Sequence, residues 1–238
     1  MFNSIKKWIL ASSSYDKTIK LFNIKENEYE LIQTLNLHSN CVSKILEFSN
    51  NYLVSSSNDK TIIFYIKEDI KYKKDYSIYT FNYVNNIIET KQNEIVYSII
   101  DWFDNKGEIY FFDINKRKNK SIIKNINAAW NSFCMINNDL LLIGGCNMIY
   151  IINVNEYKKI RQIDIPNTGF ICATCKLNYN IIIIGDKNGS LMKWKIEKDN
   201  LILISKKENA HNDHIFVILN LFNRNIITSS RDNTIKIW

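Results

Sequence analysis

Histidines, cysteines and recurring carboxylates are the residues of this chain that could bind a metal or move a proton. Two of its three histidines stand together in His211-Asn212-Asp213-His214, a spacing that could clip a metal ion. A zinc site needs a third protein ligand, and the sequence offers no obvious one. Cys172-Ala173-Thr174-Cys175 has the spacing of half a zinc site or of a redox motif. It falls in a strand-forming run, where residues three apart point to opposite faces, and no second cysteine pair accompanies it. The five cysteines, Cys41, Cys134, Cys146, Cys172 and Cys175, are odd in number and dispersed, so free packed thiols are expected rather than a disulfide framework. There is no glycine-rich phosphate loop, nucleophile elbow or paired metal motif. The expectation is a protein that is not an enzyme and holds no metal or cofactor.

The carboxylates at fixed register lead from chemistry to architecture. Asp16, Asp59 and Asp232 each sit inside one recurring phrase: Ser12-Ser13-Ser14-Tyr15-Asp16-Lys17-Thr18-Ile19-Lys20-Leu21-Phe22, then Ser55–Tyr65, then Ser229–Trp238. Looser copies end at Phe112, Ile152 and Trp194, so the closing position falls at 22, 65, 112, 152, 194 and 238, with spacings of 43, 47, 40, 42 and 44. A fixed period of this size marks a repeat architecture. Each copy reads as a hairpin: hydroxyl residues end one strand, an Asp or Asn turn follows, and a β-branched and aromatic run forms the next. With six glycines and one proline in the chain, Asn is expected to supply the positive-φ turn positions that glycine usually fills.

Period and phrase together resemble the WD-repeat family of β-propellers. The resemblance implies an all-β chain of about six four-stranded blades, each running from an inner strand a through b and c to an outer strand d. Approximate blades are 1–35, 42–81, 84–124, 130–165, 170–205 and 215–238 of a single domain spanning 1–238. The first and last blades are incomplete. Either the ring closes imperfectly with six blades, or the chain is part of a larger seven-bladed ring; both readings stay open. The resemblance also assigns the histidines. His211 would pair with Asp232, with Thr228 and Trp238 completing a structural hydrogen-bond network, and His38 would do the same with Asp59 and Ser55, Tyr65 replacing the tryptophan. Blades three to five carry no histidine before strand a, and Asn188 stands where blade five should have its turn Asp.

What remains is surface. The d–a and b–c loops share one face of such a disc. Trp102 and Phe103 fall in the b–c connection of blade three, and Trp130 begins strand a of blade four; large aromatics at a rim are the usual anchors of protein partners, although both tryptophans could instead pack between blades. On the other face, Lys71, Lys73 and Lys74, then Lys116, Arg117, Lys118 and Lys120, fall in the c–d loops of blades two and three, and Lys158, Lys159 and Arg161 lie around that of blade four. A net charge of +7 permits acidic partners, while an A/T-rich coding bias explains the Lys and Asn content equally well. Two functions follow. The first is a non-catalytic scaffold that docks other proteins on the propeller face, with no small-molecule substrate. The alternative is a basic module for nucleic acid or anionic membrane. No apolar run is long enough to span a bilayer and no signal peptide precedes the first repeat, so a cytoplasmic or nuclear location is expected.

Overall fold

Short apolar runs bounded by Asn-, Asp- and Ser-rich turns build six antiparallel sheets in the computed structural model, whose described residues are 8–25, 28–48, 52–91, 93–101, 106–127, 132–198, 200–221 and 225–238. Of Trp8 and Lys25 the backbone alone is described. The first sheet is β1 (Trp8–Ser13), β2 (Ile19–Lys25) and β3 (Glu28–Leu35). The second is β4 (Val42–Glu47), β5 (Tyr52–Ser57), β6 (Thr61–Glu68) and β7 (Lys71–Tyr79), and the third is β8 (Tyr83–Lys91), β9 (Glu94–Asp101), β10 (Lys106–Asp113) and β11 (Lys118–Asn127). The fourth is β12 (Phe133–Met135), β13 (Leu140–Gly144), β14 (Met148–Asn153) and β15 (Lys158–Asp164). The fifth is β16 (Ile171–Asn178), β17 (Ile181–Asp186), β18 (Leu191–Glu197) and β19 (Asn200–Lys207), and the sixth is β20 (Ile215–Asn220), β21 (Ile226–Ser230) and β22 (Ile235–Ile237). Within each sheet the strands pair in chain order, as a meander requires.

Contacts divide the chain into two compact units, Met1–Ile87 and Ile88–Trp238. In the first, Ile19 and Leu21 of the first sheet bury against Val42, Leu53, Ile63 and Tyr65 of the second. In the second, successive sheets share cores: Ile109 and Phe111 with Leu141 and Ile152, Leu142 and Ile151 with Ile182 and Trp194, and Ile183 and Leu191 with Ile215 and Ile218. Close approach of neighbouring sheets needs small residues at the end of strand b. A Cβ on Gly144 would lie 2.2 Å from Ser132 Oγ and 2.4 Å from Ile171 Cγ2, and one on Gly185 would lie 2.8 Å from Ile215 Cγ2. Any side chain there pushes the next inner strand away. No helix among the described residues is long and apolar enough to cross a membrane.

Three features depart from the sequence reading. The outer strands begin early: β7 starts at Lys71 and β11 at Lys118, where charged loops were expected. Tight turns allow this, each closed by a positive-φ residue: Asp69, Arg117, Tyr157 and Lys198. Asn therefore fills only half of the left-handed non-glycine positions among the described residues, namely 93, 125, 147, 167, 209 and 233. Lastly, the pairing of strand c with strand d is interrupted at an equivalent place in all five sheets that have a strand d, at Leu21/Phe22, Phe64/Tyr65, Phe111/Phe112, Ile151/Ile152 and Lys193/Trp194, and in the third sheet also at Gly107/Ile109. Such a bulge adds local twist, which turns the outer strand relative to the inner three.

Candidate interaction face

The b–c hairpins of the first, second and sixth sheets are three-residue turns clamped by their own side chains. In Asp16, Asp59 and Asp232 one carboxylate oxygen accepts from the Thr two residues on, through its N–H at 3.0, 3.0 and 2.9 Å and its hydroxyl at 2.7, 2.6 and 2.6 Å. The Asp N–H donates in turn to the preceding serine: Ser14, Ser57 or Ser230. The residue between Asp and Thr takes φ of 73° at Lys17, 67° at Lys60 and 63° at Asn233. Type I turns followed by one left-handed residue are a standard hairpin closure.

Two of these turns hold a histidine. His38 Nδ1 lies 2.8 Å from Asp59 Oδ2 and its Nε2 lies 2.7 Å from Ser55 Oγ, which donates to Tyr65 Oη at 3.2 Å. His211 Nδ1 lies 2.9 Å from Asp232 Oδ2 and its Nε2 lies 2.7 Å from Thr228 Oγ1, which also accepts from Trp238 Nε1 at 2.9 Å. Ser39 and Asn212 donate their N–H groups to the same carboxylates. Hydroxyl, imidazole and carboxylate at these distances have the order of a nucleophile triad. Ser55 and Thr228 are wholly buried, so the arrangement holds loops together and does not present a nucleophile. Burial lowers the His38 pKa against the opposing pull of Asp59, which keeps the imidazole neutral. Burial pushes the Asp59 and Asp232 carboxyls up, but their hydrogen bonds outweigh it and both lie below the usual carboxylate range.

The fifth sheet solves the same turn differently. Asn188 occupies the usual Asp position, and Asp186, two residues earlier, accepts from the N–H groups of Asn188 (2.9 Å) and Ser190 (2.8 Å) instead. The sequence reading missed this residue. Its Oδ2 is buried without a hydrogen-bond partner, as is Trp194 Nε1, and burial raises the Asp186 pKa. The cysteine pair lies in β16: Cys172 is buried, its thiol pushed up to about 12 by that burial, and Cys175 is raised for the same reason. Thiols held protonated are poor ligands and nucleophiles. Among the described residues no group of three or more His, Cys, Asp or Glu side chains is placed to hold a metal ion.

Backbone bonds tie these b–c turns to the loops that precede their own sheet or the next one. In the first unit Val42 donates to Ser14 O, Asn58 to Cys41 O and Thr80 to Lys60 O. In the second, Lys187 donates to Phe170 O, His211 to Gly189 O and Arg231 to His214 O. Large side chains are exposed here in the first unit: on the loops Tyr15 is 83% and Phe81 92% exposed, with Leu37 and Tyr79, the last residue of β7, also open. Lys60 lies over the ring of Tyr83 at 5.9 Å. Trp102, Phe103 and Trp130, the anchors expected from the sequence, lie outside the described residues.

The basic residues of the second and third sheets are placed differently from the sequence expectation. Lys71, Lys73 and Lys74 lie in β7, Lys118 and Lys120 in β11, and Lys158, Lys159 and Arg161 in β15, so only Lys116 and Arg117 occupy a c–d turn. The turns are too short to hold the lysines, which ride on outer strands where a charged row protects a sheet edge. Several are engaged: Lys73 with Glu68 at 3.9 Å, Lys120 with Glu94 at 2.8 Å, Lys158 with Glu156, and Lys159 over the Tyr150 ring at 5.2 Å.

The family model of the WD domain, G-beta repeat, matches residues 29–65 and 205–238. The matches include the two histidine-bearing turns. No curated protein matches the sequence. Among solved structures, a chain of the crystal structure of the mitotic checkpoint complex is similar over 97% of this chain and 72% of its own length, with a TM-score of 0.82 at 15% identity.

Proposed function

Because the chain carries WD repeats and has the fold of a β-propeller, we propose that it is a non-catalytic scaffold that docks partner proteins on its b–c and d–a loops. The observation that carries this reading is the exposure of Tyr15, Leu37 and Phe81 on loops, and of Tyr79 at the end of β7, beside backbones fixed by the Asp–Thr clamps and the His38 network. Large aromatic side chains on a preformed surface lose little ordering entropy when they bind. Propellers of this family typically serve as protein-interaction scaffolds, and the similar solved chain belongs to a complex. Trp102 and Phe103, in a b–c connection by the sequence reading, and Trp130, at the start of a strand a, extend the proposed anchor set.

The test compares partner capture by the wild-type chain with that by Tyr15→Ser/Phe81→Ser and by Trp102→Ala/Trp130→Ala, alongside their thermal melts. Loss of the wild-type partner set at unchanged Tm supports the reading, and unchanged capture by both variants removes it. A large fall in Tm for the tryptophan variant makes those two residues core. The alternative, a nucleic-acid or anionic-membrane module, requires binding that weakens steeply with salt. Against it stands the engagement of Lys73, Lys120, Lys158 and Lys159 with neighbouring carboxylates and a tyrosine ring.

A further inference from the structure

The fifth and sixth sheets carry cations at a turn position where the first and second carry none. The residue just before the turn Asp, or before Asn188 in the fifth sheet, is Tyr15, Asn58, Lys187 and Arg231 in turn. Three backbone bonds fix the bases of the two cations. Lys187 N–H donates to Phe170 O at 2.8 Å, Arg231 N–H to His214 O at 2.9 Å, and His211 N–H to Gly189 O at 2.9 Å. The last joins the turn of the fifth sheet to the loop that enters the sixth, so the two turns and that loop form one ledge. The cations converge on it. Burial lowers the His214 pKa, Asp213 opposes that, and both Lys187 and Arg231 add to the lowering, which places the two charges around one imidazole. Both reach solvent: Lys187 is exposed and the Arg231 side chain is 63% exposed.

The neighbouring carboxylates are engaged elsewhere. Asp186 and Asp232 hold their own turns, Glu208 pairs with Lys206, and Asp213 Oδ1 accepts from the His214 N–H at 2.7 Å. Asp213 Oδ2 meets Arg231 Nε only at 4.0 Å, an exposed contact of a kind that contributes little. Lys187 Nζ lies over the Phe170 ring at 5.6 Å, and no carboxylate among the described residues pairs with it. Apolar surface adjoins these charges. A register shift between Ile215 and Val217 releases Phe216 from the β20–β21 ladder, leaving it 39% exposed with its ring 6.1 Å from that of His214. We propose that this ledge seats a segment of a partner protein rich in carboxylate side chains, Lys187 and Arg231 taking its acidic residues and Phe216 an apolar one. The proposal rests on the scaffold reading and names the chemistry of the partner, since complementary charge steers and orients such a contact. A nucleic-acid strand needs a longer basic track than two cations beside an Asp.

The experiment measures binding of a fluorescent peptide of alternating Glu and Leu to the full chain at low salt. A peptide with Gln for every Glu and a single-stranded oligonucleotide of similar length are the comparisons. The Glu peptide should bind, the Gln peptide should not, and added salt should weaken the complex. Lys187→Glu/Arg231→Glu should abolish binding, while Lys187→Ala and Arg231→Ala should each raise Kd several-fold. Phe216→Ser should weaken binding without altering its salt dependence. Lys71→Glu/Lys193→Glu makes the same change in net charge at exposed strand positions and should bind as wild type does. Failure of the wild-type chain to bind the Glu peptide overturns the proposal. Equal loss in the two double variants overturns it as well, because net charge alone would then act. Tighter binding of the oligonucleotide, lost in the same variants, overturns it in favour of a nucleic-acid surface. Thermal melts that match wild type exclude misfolding, and the single alanine variants decide if the charge reversal melts early. None of these outcomes touches Tyr15 and Phe81 of the first unit, whose variants test the scaffold reading separately.

Discussion

Lys120 sets its ammonium 2.8 Å from the carboxylate of Glu94, a residue only 1% exposed at the start of β9. Tyr157 Oη donates to the same carboxylate at 3.2 Å and Thr90 Oγ1 at 3.1 Å, and Lys91 Nζ stands 3.9 Å away. Lys91 also donates to Val154 O, so this buried anion ties the third sheet to the fourth. Glu94 raises the pKa of Lys120. Removing Lys120, whose side chain is a third exposed, leaves buried Glu94 with Lys91 and two hydroxyl donors, which costs roughly 1–3 kcal/mol. Lys120→Ala should therefore lower urea stability by about that amount, while Lys71→Ala, at an exposed strand position, should change it by less than about 0.5 kcal/mol. Equal small effects of the two would return Lys120 to the solvated surface.

Thr228 is the hydroxyl shared by His211 and Trp238. Thr228→Val keeps the shape and strands a ring nitrogen and an indole N–H without partners, at a cost of about 2–3 kcal/mol. Ser55→Ala should act similarly through His38 and Tyr65. Chemical denaturation measures both. If neither midpoint moves, water satisfies the stranded groups and the networks are not what holds these loops.

Acid should act on the turns in opposite senses. The lowered pKa of Asp59 contributes stability that is present above its ordinary value of 3.8 and is lost as pH falls through the folded value. The lowered pKa of His38 acts in the same sense from a higher pH: its contribution is present above the unfolded value of 6.5 and is lost as pH falls below it. Asp186 runs the other way, since burial raises its pKa and its contribution is lost as pH rises through the folded value. Tm should fall between neutral pH and pH 3 in the wild-type protein, and the slope should flatten in Asp59→Asn. Asp186→Asn keeps an oxygen for the turn amides, so it should raise Tm at neutral pH and lose that advantage in acid. A neutral-pH Tm for Asp186→Asn below wild type contradicts the assigned direction.

The repeat was legible because the first, second and sixth sheets re-use one turn, and its Ser-x-Asp-x-Thr clamp depends on side chains within five residues. His38 and His211 were legible for the same reason, each standing a fixed distance before its turn. The outer strands were not. Lys71-Tyr72-Lys73-Lys74-Asp75-Tyr76 reads as a charged loop, yet Tyr72 is buried and the run is strand, since an edge strand can be polar on every side but one. Glu94 carries no local signal at all. Its partners Lys120 and Tyr157 are 26 and 63 residues away, and only the stacking of sheets brings them together. Asp186 could have been found as the carboxylate two places before Asn188-Gly189.

Gly189 separates the positions that merely tolerate glycine from the one that demands it. Lys17, Lys60, Asn233 and Gly189 share one left-handed turn position, and three of them carry side chains. At Gly189, φ is 76° and an added Cβ would lie 2.1 Å from the carbonyl oxygen of His211, which is backbone and cannot swing aside. The carbonyl of Gly189 meanwhile accepts from the His211 N–H at 2.9 Å, so relief of the clash also breaks the bond that seats the histidine loop. A left-handed Ala costs about 1–2 kcal/mol by itself. Gly189→Ala should cost more than that, and Gly189→Asn no less, although Asn suits the dihedral. Lys60→Gly, at the same position of the second sheet, should be neutral or stabilising by up to about 1 kcal/mol. Thermal melts of the three variants decide the matter: if Gly189→Asn melts with the wild type, backbone conformation alone selects glycine there and the approach of His211 exerts no constraint.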